Sequence, residues 1–146
     1  MKPVEQNWPA DFASRYRDKG YWRGETFPAM LRQRAAEKPE AIAIVDGSSR
    51  WNYGELHRRS EHHAAGFLRL GLVPGERVLV QLGNVAEFFS VVFGLFRAGL
   101  VPVYSLPAHR LTEIVHLARR AEAVASGASG DCDGFDYRKL SESLCC

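Results

Sequence analysis

The pattern of apolar and polar positions in residues 77–110 predicts one strand–helix–strand unit, around which the rest of the chain is organised. Residues 77–82 (RVLVQL) form a short apolar run that contains β-branched side chains and is bounded by turn-forming residues. Residues 88–96 are almost continuously apolar, which predicts a helix buried on most of its circumference. Residues 101–104 (VPVY) then resume an extended apolar run. Two buried strands joined by a buried helix predict a parallel sheet with a right-handed crossover.

The ends of this central helix carry recognisable signals. Asn84 is a good N-cap residue, and Glu87 stands three residues later, where its carboxylate can reach back to the cap. Arg97 lies in the last turn, where a cation suits the helix dipole. Gly99 supplies the left-handed residue that ends the helix.

The residues before this unit predict a helix and a β-hairpin. The helix begins at Thr26 and ends before Pro39. Residues 41–45 are typical of a strand, and residues 50–53 are short and β-prone. The turn signal between these two runs predicts that they pair as a hairpin.

A second helix is predicted to begin at Asn52 or Tyr53. Its apolar stripe consists of Leu56, His63, Phe67 and Leu70. His62 and His63 are adjacent and point to different faces, so they cannot share a metal ion by the i, i+4 geometry of helical sites. We expect the histidines of this helix, which include His57, to be solvated or partly packed.

The pattern weakens after a third helix, predicted for residues 112–120 with Ile114 facing inward. Residues 123–125 can start another strand. Residues 126–130 are rich in Ser and Gly and predict a flexible, strand-poor stretch. A further helix is expected from Phe135.

One polar pair, His109 and Arg110, occupies a position that invites a functional interpretation. Both lie in the loop of residues 106–110 (LPAHR), at the carboxyl end of a predicted strand, where ligand crevices form in open α/β sheets. The competing interpretation is structural: His109 caps the next helix and Arg110 forms an ion pair within the protein. We favour the structural interpretation and keep both residues as candidates for the edge of a crevice.

Composition limits the classes of protein that remain. With 146 residues, 46% of them hydrophobic, the chain can form one ordinary core. A formal charge of +2 gives no indication of binding to nucleic acid or to a membrane surface. We find no apolar signal-peptide core at the N-terminus and no clean apolar stretch of membrane-spanning length, so we expect a cytoplasmic protein. Residues 1–25 predict an aromatic N-terminal arm, and residues 26–146 predict an incomplete α/β subdomain.

The chain carries no recognisable catalytic or metal motif. Cys132, Cys145 and Cys146 have neither the spacing of a zinc site nor the even count of a disulfide framework. Nucleotide-binding glycine loops and a nucleophile elbow are also missing from the sequence. We therefore assign no catalytic, cofactor-binding or metal-binding residue, and the residues alone do not indicate a function.

A family resemblance supplies what the residues alone do not. Residues 51–56 (WNYGEL) resemble the first core motif of the adenylate-forming enzymes, also called AMP-dependent synthetases and ligases. Residues 96–103 (FRAGLVPV) resemble the second. The likeness is greatest to the siderophore aryl-acid adenylating enzymes, because residues 106–110 (LPAHR) and 134–138 (GFDYR) resemble segments typical of that subgroup. The resemblance implies an α/β fold: a partial parallel-sheet subdomain with flanking helices, the N-terminal portion of the adenylate-forming enzyme fold.

The same resemblance implies a reaction. Such ligases use ATP and Mg2+ to convert an aryl carboxylate, 2,3-dihydroxybenzoate or salicylate, to an aryl adenylate and pyrophosphate. They then pass the aryl group to the thiol of an aryl carrier protein. The family's phosphate loop, ribose-binding Asp and catalytic Lys lie beyond the matching region, so none can be carried onto a residue here. Gly83 also stands where relatives usually have Pro, and residues 126–130 replace an apolar strand.

Three hypotheses remain on this evidence. The first is an N-terminal fragment of an aryl-acid adenylating ligase that is inactive alone and binds neither ATP nor Mg2+ by itself. The second is a non-catalytic module that pairs with a separately encoded remainder of the enzyme through its unfinished sheet edge. The third, an independent small-molecule-binding domain, is the weakest because only His109 and Arg110 offer polar contacts. Exposed apolar surface is expected to make the isolated fragment prone to aggregation.

Overall fold

The computed structural model describes residues 9–132, 135–137 and 139 of the chain. In these residues helices and strands alternate along most of the sequence. The elements are α1 (Ala10–Asp18), α2 (Phe27–Glu37), β1 (Ile42–Asp46), β2 (Ser49–Asn52), α3 (Tyr53–Arg69), β3 (Arg77–Gln81), α4 (Ala86–Arg97), β4 (Val101–Tyr104), α5 (Leu111–Ala121), β5 (Ala123–Ala128), β6 (Asp131–Cys132) and β7 (Phe135–Asp136).

The central sheet has three parallel strands in the order β4-β3-β5. Strand β3 lies in the middle, and Leu79 and Val80 are almost completely buried there. Helix α4 connects β3 to β4, which confirms the strand–helix–strand unit predicted from residues 77–110. Leu95 of α4 has no exposed surface and packs in one cluster with Val78, Val80 and Leu100. This cluster is the part of the core that ties the helix to the sheet.

The prediction that residues 126–130 are strand-poor was wrong. Strand β5 continues through Ser126 and Gly127 to Ala128 and pairs in parallel with β3. The physical reason is that the second edge of β3 offers unpaired backbone donors and acceptors, which a chain with small side chains can satisfy closely. The N–H of Ser129 continues this pairing to the carbonyl of Gln81, at 3.3 Å. Tertiary pairing here overrides the weak β propensity of Ser and Gly.

The helix caps were predicted with mixed success. The helices predicted to begin at Thr26 and at Asn52 or Tyr53 are both present, with Thr26 and Asn52 in the N-cap positions. The Asn52 side chain accepts a hydrogen bond from the N–H of Glu55 at 2.8 Å. The expected cap at Asn84 was wrong, because α4 begins at Ala86 with Val85 in the N-cap position and no side-chain cap from that residue. Gly99 ends α4 with a φ of 74°, in the left-handed region that was predicted.

Two further expectations differ from the structure. Leu70 was placed on the apolar stripe of α3 but follows the end of that helix and is 80% exposed. The helix expected from Phe135 does not begin there, because Phe135 and Asp136 pair as β7 with β6. Most of the residues beyond this point lie outside the described part of the chain. Helix α4 is also less enclosed than expected, since Phe89 is 46% exposed.

The β-hairpin of β1 and β2 is antiparallel, as predicted. Trp51 of β2 is buried with Leu31 of α2 and Leu56 of α3, which ties the hairpin to both helices. In the residues before α2, Tyr16 contacts Tyr21 and Trp22 edge-on or tilted, so these three aromatic rings form their own cluster beside α1. No helix in the described residues is long and apolar enough to cross a membrane.

Candidate functional site at the carboxyl edge of the sheet

The candidate residues His109 and Arg110 lie in the loop of residues 105–110, which leaves β4 and enters α5. This loop starts at the carboxyl edge of the parallel sheet, where the N–H and the hydroxyl of Ser105 both donate to the carbonyl of Val80. The position agrees with the sequence-based expectation. In open α/β sheets this edge is the usual location of ligand crevices.

A buried glutamine holds the loop in place. Gln81 ends β3 and is only 3% exposed. Its side-chain amide donates to the carbonyl oxygens of Leu106 and His109, both at 3.0 Å. A buried amide that satisfies two loop carbonyls fixes the loop more firmly than a solvent-exposed contact would, because breaking it leaves polar groups unpaired. Sequence reasoning missed this role, although one polar residue inside the run RVLVQL was the available signal.

Arg110 is engaged by the loop itself. Its Nη1 atom donates to the carbonyl oxygens of Pro107, at 2.7 Å, and His109, at 3.1 Å. Its guanidinium lies 4.2 Å from the ring centroid of Phe135, within the range of a cation–π contact. The hydroxyl of Tyr137 also donates to the carbonyl of Pro107, at 2.8 Å. Arg110 therefore joins the loop to the segment that follows β5.

The N-cap of α5 is Arg110, and the expected cap at His109 was wrong. The N–H of Arg110 donates to the carboxylate of Glu113 at 3.0 Å. Hydrogen bonds from the backbone N–H groups of Glu113 itself and of Arg110 lower the pKa of the Glu113 carboxyl, with smaller contributions from the charges of His109 and Arg110. His109 has a different role, because its Nδ1 accepts the N–H of Leu106 at 3.3 Å.

These contacts hold the loop in one conformation at the edge of a crevice, but they do not form a complete catalytic site. Gln81, Arg110 and Tyr137 all use their polar atoms to bind loop carbonyls. The described residues contain no group of three or more His, Cys, Asp or Glu side chains that could hold a metal ion. In the described part of the chain, this arrangement can position the edge of a crevice, and it assigns no residue to a nucleophile or a general base.

A separate apolar groove is lined in part by α4. It has a volume of about 460 Å³ and is bounded by α2, β1, α3 and α4. Met30, Val45 and Phe89 line it with partly exposed apolar side chains. Arg34 is the one charged residue among the side chains that line it. The groove is therefore suited to apolar contact more than to the binding of a charged ligand.

A protein-family model matches most of the chain, including the loop of residues 105–110. The family model described as AMP-binding enzyme matches residues 31–135, which include Gln81, His109 and Arg110. The 2,3-dihydroxybenzoate-AMP ligase of Bacillus subtilis is 47% identical over 137 residues, covering 94% of this chain and 25% of that protein. The salicyl-AMP ligase / salicyl-S-ArCP synthetase of Mycobacterium tuberculosis is 39% identical over 142 residues, with 94% and 25% covered.

A solved structure agrees with the sequence comparison. The apo structure of MbtA from Mycobacterium smegmatis superimposes with a TM-score of 0.84 at 45% identity, covering 94% of this chain and 25% of that chain. The chain thus spans about a quarter of the length of these relatives. The expected fold, a partial parallel-sheet subdomain at the N-terminal part of the adenylate-forming enzyme fold, is confirmed.

Proposed function

Since this chain belongs to the AMP-binding enzyme family, we propose that it is the N-terminal portion of an aryl-acid adenylating ligase of siderophore biosynthesis. The observation that supports this most directly is the 47% identity to the Bacillus subtilis 2,3-dihydroxybenzoate-AMP ligase across 94% of the chain. The M. tuberculosis relative, named as a salicyl-AMP ligase, supports the same substrate class. The proposed substrates are therefore aryl carboxylic acids such as 2,3-dihydroxybenzoate or salicylate.

The proposed reaction proceeds in two steps. An aryl carboxylate oxygen attacks the α-phosphorus of ATP. The bond between that phosphorus and the oxygen that bridges it to the β-phosphate breaks, and pyrophosphate is released. The sulfur of a carrier-protein thiol then attacks the acyl carbon, and AMP leaves. Enzymes of the family use ATP and Mg2+, and the metal ion neutralises negative charge on the phosphates.

In this proposal the chain contributes structure rather than chemistry. Gln81, Arg110 and Tyr137 hold the loop of residues 105–110 at the carboxyl edge of the sheet. Because none of the described residues has been assigned to phosphate or metal binding, we propose that the chain alone neither binds ATP and Mg2+ nor adenylates an acid. The same proposal includes a cytoplasmic location. It also includes a division of the chain into an arm (residues 1–25) and an incomplete subdomain (residues 26–146).

ATP–pyrophosphate exchange tests this function. The 146-residue chain is assayed with salicylate and with 2,3-dihydroxybenzoate, first alone and then with a second polypeptide that carries the Bacillus subtilis ligase beyond its matching region. We expect no exchange by the chain alone and acid-dependent exchange when the second polypeptide is added. Exchange by the chain alone would refute the proposed inactivity. No exchange in either arm would contradict assembly of the ligase from two polypeptides.

A second candidate is a non-catalytic interaction module that pairs with a separately encoded remainder of such a ligase. The observation that favours it is the apolar surface on both edges of the sheet, where Val101 and Tyr104 of β4 and Val124 of β5 are about half exposed. Such edges can accept a further strand. Stable co-purification with the second polypeptide in the absence of any exchange activity would favour this candidate over the first.

A further inference from the structure

Exposed apolar side chains from α2, β1 and the start of α4 form one continuous surface. They are Phe27, Met30, Val45, Val85 and Phe89, and each is between 39% and 57% exposed. We call this surface the apolar strip. Large contiguous apolar patches on a folded chain mark surfaces that a partner covers.

Three neighbouring hollows join these residues into one surface. The groove of about 460 Å³ is lined by Met30, Val45 and Phe89. Met30 also lines a hollow of about 190 Å³ beside Phe27. Val45 and Phe89 line a third hollow, of about 220 Å³, together with Val85. The strip is therefore concave along its length and can receive protruding side chains of a partner.

The floor of the strip is part of the core. Leu31 and Leu56 line the groove and belong to one buried cluster with Trp51. Phe93 packs against this cluster, and its ring centroid lies 6.4 Å from that of Phe27. A partner that covers the strip would extend this core, which is the arrangement found in permanent, apolar interfaces.

The described residues that line these hollows offer no unpaired charge to a partner. Each charged residue among them is already bonded within the chain. The pairs are Arg34 with Glu37 at 3.2 Å, Asp46 with the N–H of Ala86 at 2.9 Å, and Glu25 with Arg23 at 3.1 Å. The strip therefore favours an apolar partner over a charged ligand, because no lone ion in the hollows would lose its water without compensation.

Contacts between aromatic rings extend the strip to the sheet. The ring centroids of Phe89 and Phe88 lie 5.6 Å apart, and those of Phe88 and Tyr104 lie 5.8 Å apart. Tyr104 is half exposed and ends β4, an edge strand of the sheet, next to the loop of residues 105–110. A partner that lies on the strip would therefore reach the carboxyl edge of the sheet, where the candidate site lies.

We propose that the apolar strip is the surface on which the remainder of the ligase packs, through an apolar face that inserts aliphatic or aromatic side chains into the three hollows. This inference rests on the proposed function. About three quarters of each relative lies outside the matching region, so those ligases contain a polypeptide large enough to cover the strip. Packing on the strip would also bring that polypeptide beside the loop of residues 105–110, to which this chain contributes no assigned catalytic group.

Binding of the second polypeptide described above tests the strip. M30S/F89S replaces two half-exposed apolar side chains of the strip. L70S/V73S is the matched control, because Leu70 and Val73 are exposed apolar residues that line none of the three hollows. We expect M30S/F89S to weaken binding at least about tenfold, the loss typical of central contacts in an interface, and the control to bind within about twofold of the unmodified chain. Equal binding by the two variants, or no binding by the unmodified chain, would overturn the proposal.

The methyl group of Met30 is a reporter that needs no substitution. Met1 and Met30 are the two methionines of the sequence, so 13C-methyl labelling of methionine gives two signals. Addition of the second polypeptide should shift or broaden the Met30 signal. Binding that leaves this signal unchanged would overturn the proposal, even where M30S/F89S fails to fold. A Met30 signal that changes instead as the chain alone dimerises would overturn it in favour of a second copy.

The exchange assay separates failure of this inference from failure of the proposed function. Exchange that M30S/F89S supports as well as L70S/V73S would agree with the proposed function and overturn the strip as the docking surface. Binding through the strip without any acid-dependent exchange would support the docking surface and count against the proposed function.

Discussion

The carboxylate of Asp46 accepts a hydrogen bond from the backbone N–H of Ala86 at 2.9 Å, across forty positions of sequence. Through this contact the β-hairpin caps the first turn of α4, the helix that connects two strands of the sheet. The carboxylate satisfies an N–H group that has no partner within the helix, and its charge suits the positive end of the helix dipole. One side chain thus couples the hairpin to the central unit.

Replacing Asp46 should destabilise the chain. D46A removes the cap and is expected to lower the free energy of unfolding by about 1 kcal/mol, the usual cost of a lost N-cap. D46N keeps an acceptor but loses the charge, so its effect should be smaller. Urea denaturation followed by circular dichroism measures both, with D18A at an exposed position of helix α1 as control. A D46A midpoint no lower than that of D18A would show that the contact contributes nothing.

Enlarging Gly94 should force α3 and α4 apart. In G94A the new methyl group would meet the Cβ of His63 at 2.6 Å and the carbonyl oxygen of Ser60 at 3.1 Å. Overpacking of this kind costs about 1–3 kcal/mol. G66A on α3 is the matched control, because nothing lies within 4 Å of its added Cβ and alanine is the better helix former. Thermal melts should move in opposite directions for the two variants, and a stabilised G94A would contradict the close packing.

Removing the amide of Gln81 should release the loop of residues 105–110. Q81L leaves the carbonyl oxygens of Leu106 and His109 without their buried donor, at a cost of about 1–3 kcal/mol. Y137F removes the one hydrogen bond that the Tyr137 hydroxyl donates to Pro107, whose carbonyl keeps its bond from Arg110, and should cost about 1 kcal/mol. Denaturation gives the energies, and hydrogen exchange of the loop amides shows whether the loss is local. Equal effects of the two variants would argue against a central role for Gln81.

The carboxylate of Glu113 should make stability fall in acid. Its pKa is lowered in the folded chain, so the stabilisation that it supplies is present above the usual pKa of 4.5 and is lost as the pH falls through the lower folded value. In E113Q this part of the pH dependence should disappear. Melting temperatures between about pH 6 and pH 3 measure the difference. Parallel curves for the two proteins would mean that the carboxylate is not stabilised by folding.

The local pattern of apolar and polar residues was sufficient to predict the helices and strands whose apolar residues are buried in the core. The strands around Val80 and Val103, the helix between them and the hairpin all follow from periodicity and turn signals in the sequence. The start of α3 at Asn52 or Tyr53 was also predicted from the local sequence. In the structure the Asn52 side chain accepts from an N–H only three residues away. Such signals act within one turn of helix or one pair of neighbouring strands.

The features that were missed depend on distant partners. The first turn of α4 is capped by the side chain of Asp46, forty positions away. The local sequence predicted Asn84 instead, because that residue lies just before the helix begins. Strand β5 runs through Gly127 because β3 supplies its hydrogen bonds, which the composition of residues 126–130 does not indicate. At the candidate site, His109 and Arg110 were found from their position after a strand. The role of Gln81 depends on the loop of residues 105–110, which lies 25 and 28 positions further along the chain at its two contacts.

The most direct test of the account is a chimera with the Bacillus subtilis 2,3-dihydroxybenzoate-AMP ligase, in which this chain replaces the matching quarter of that enzyme. ATP–pyrophosphate exchange with 2,3-dihydroxybenzoate is then measured against the parent ligase and against the parent lacking that region. We predict exchange within about tenfold of the parent, a change of less than about 1.4 kcal/mol in the barrier. A folded chimera with no more exchange than the deletion control would contradict the claim that this chain is the N-terminal portion of such a ligase.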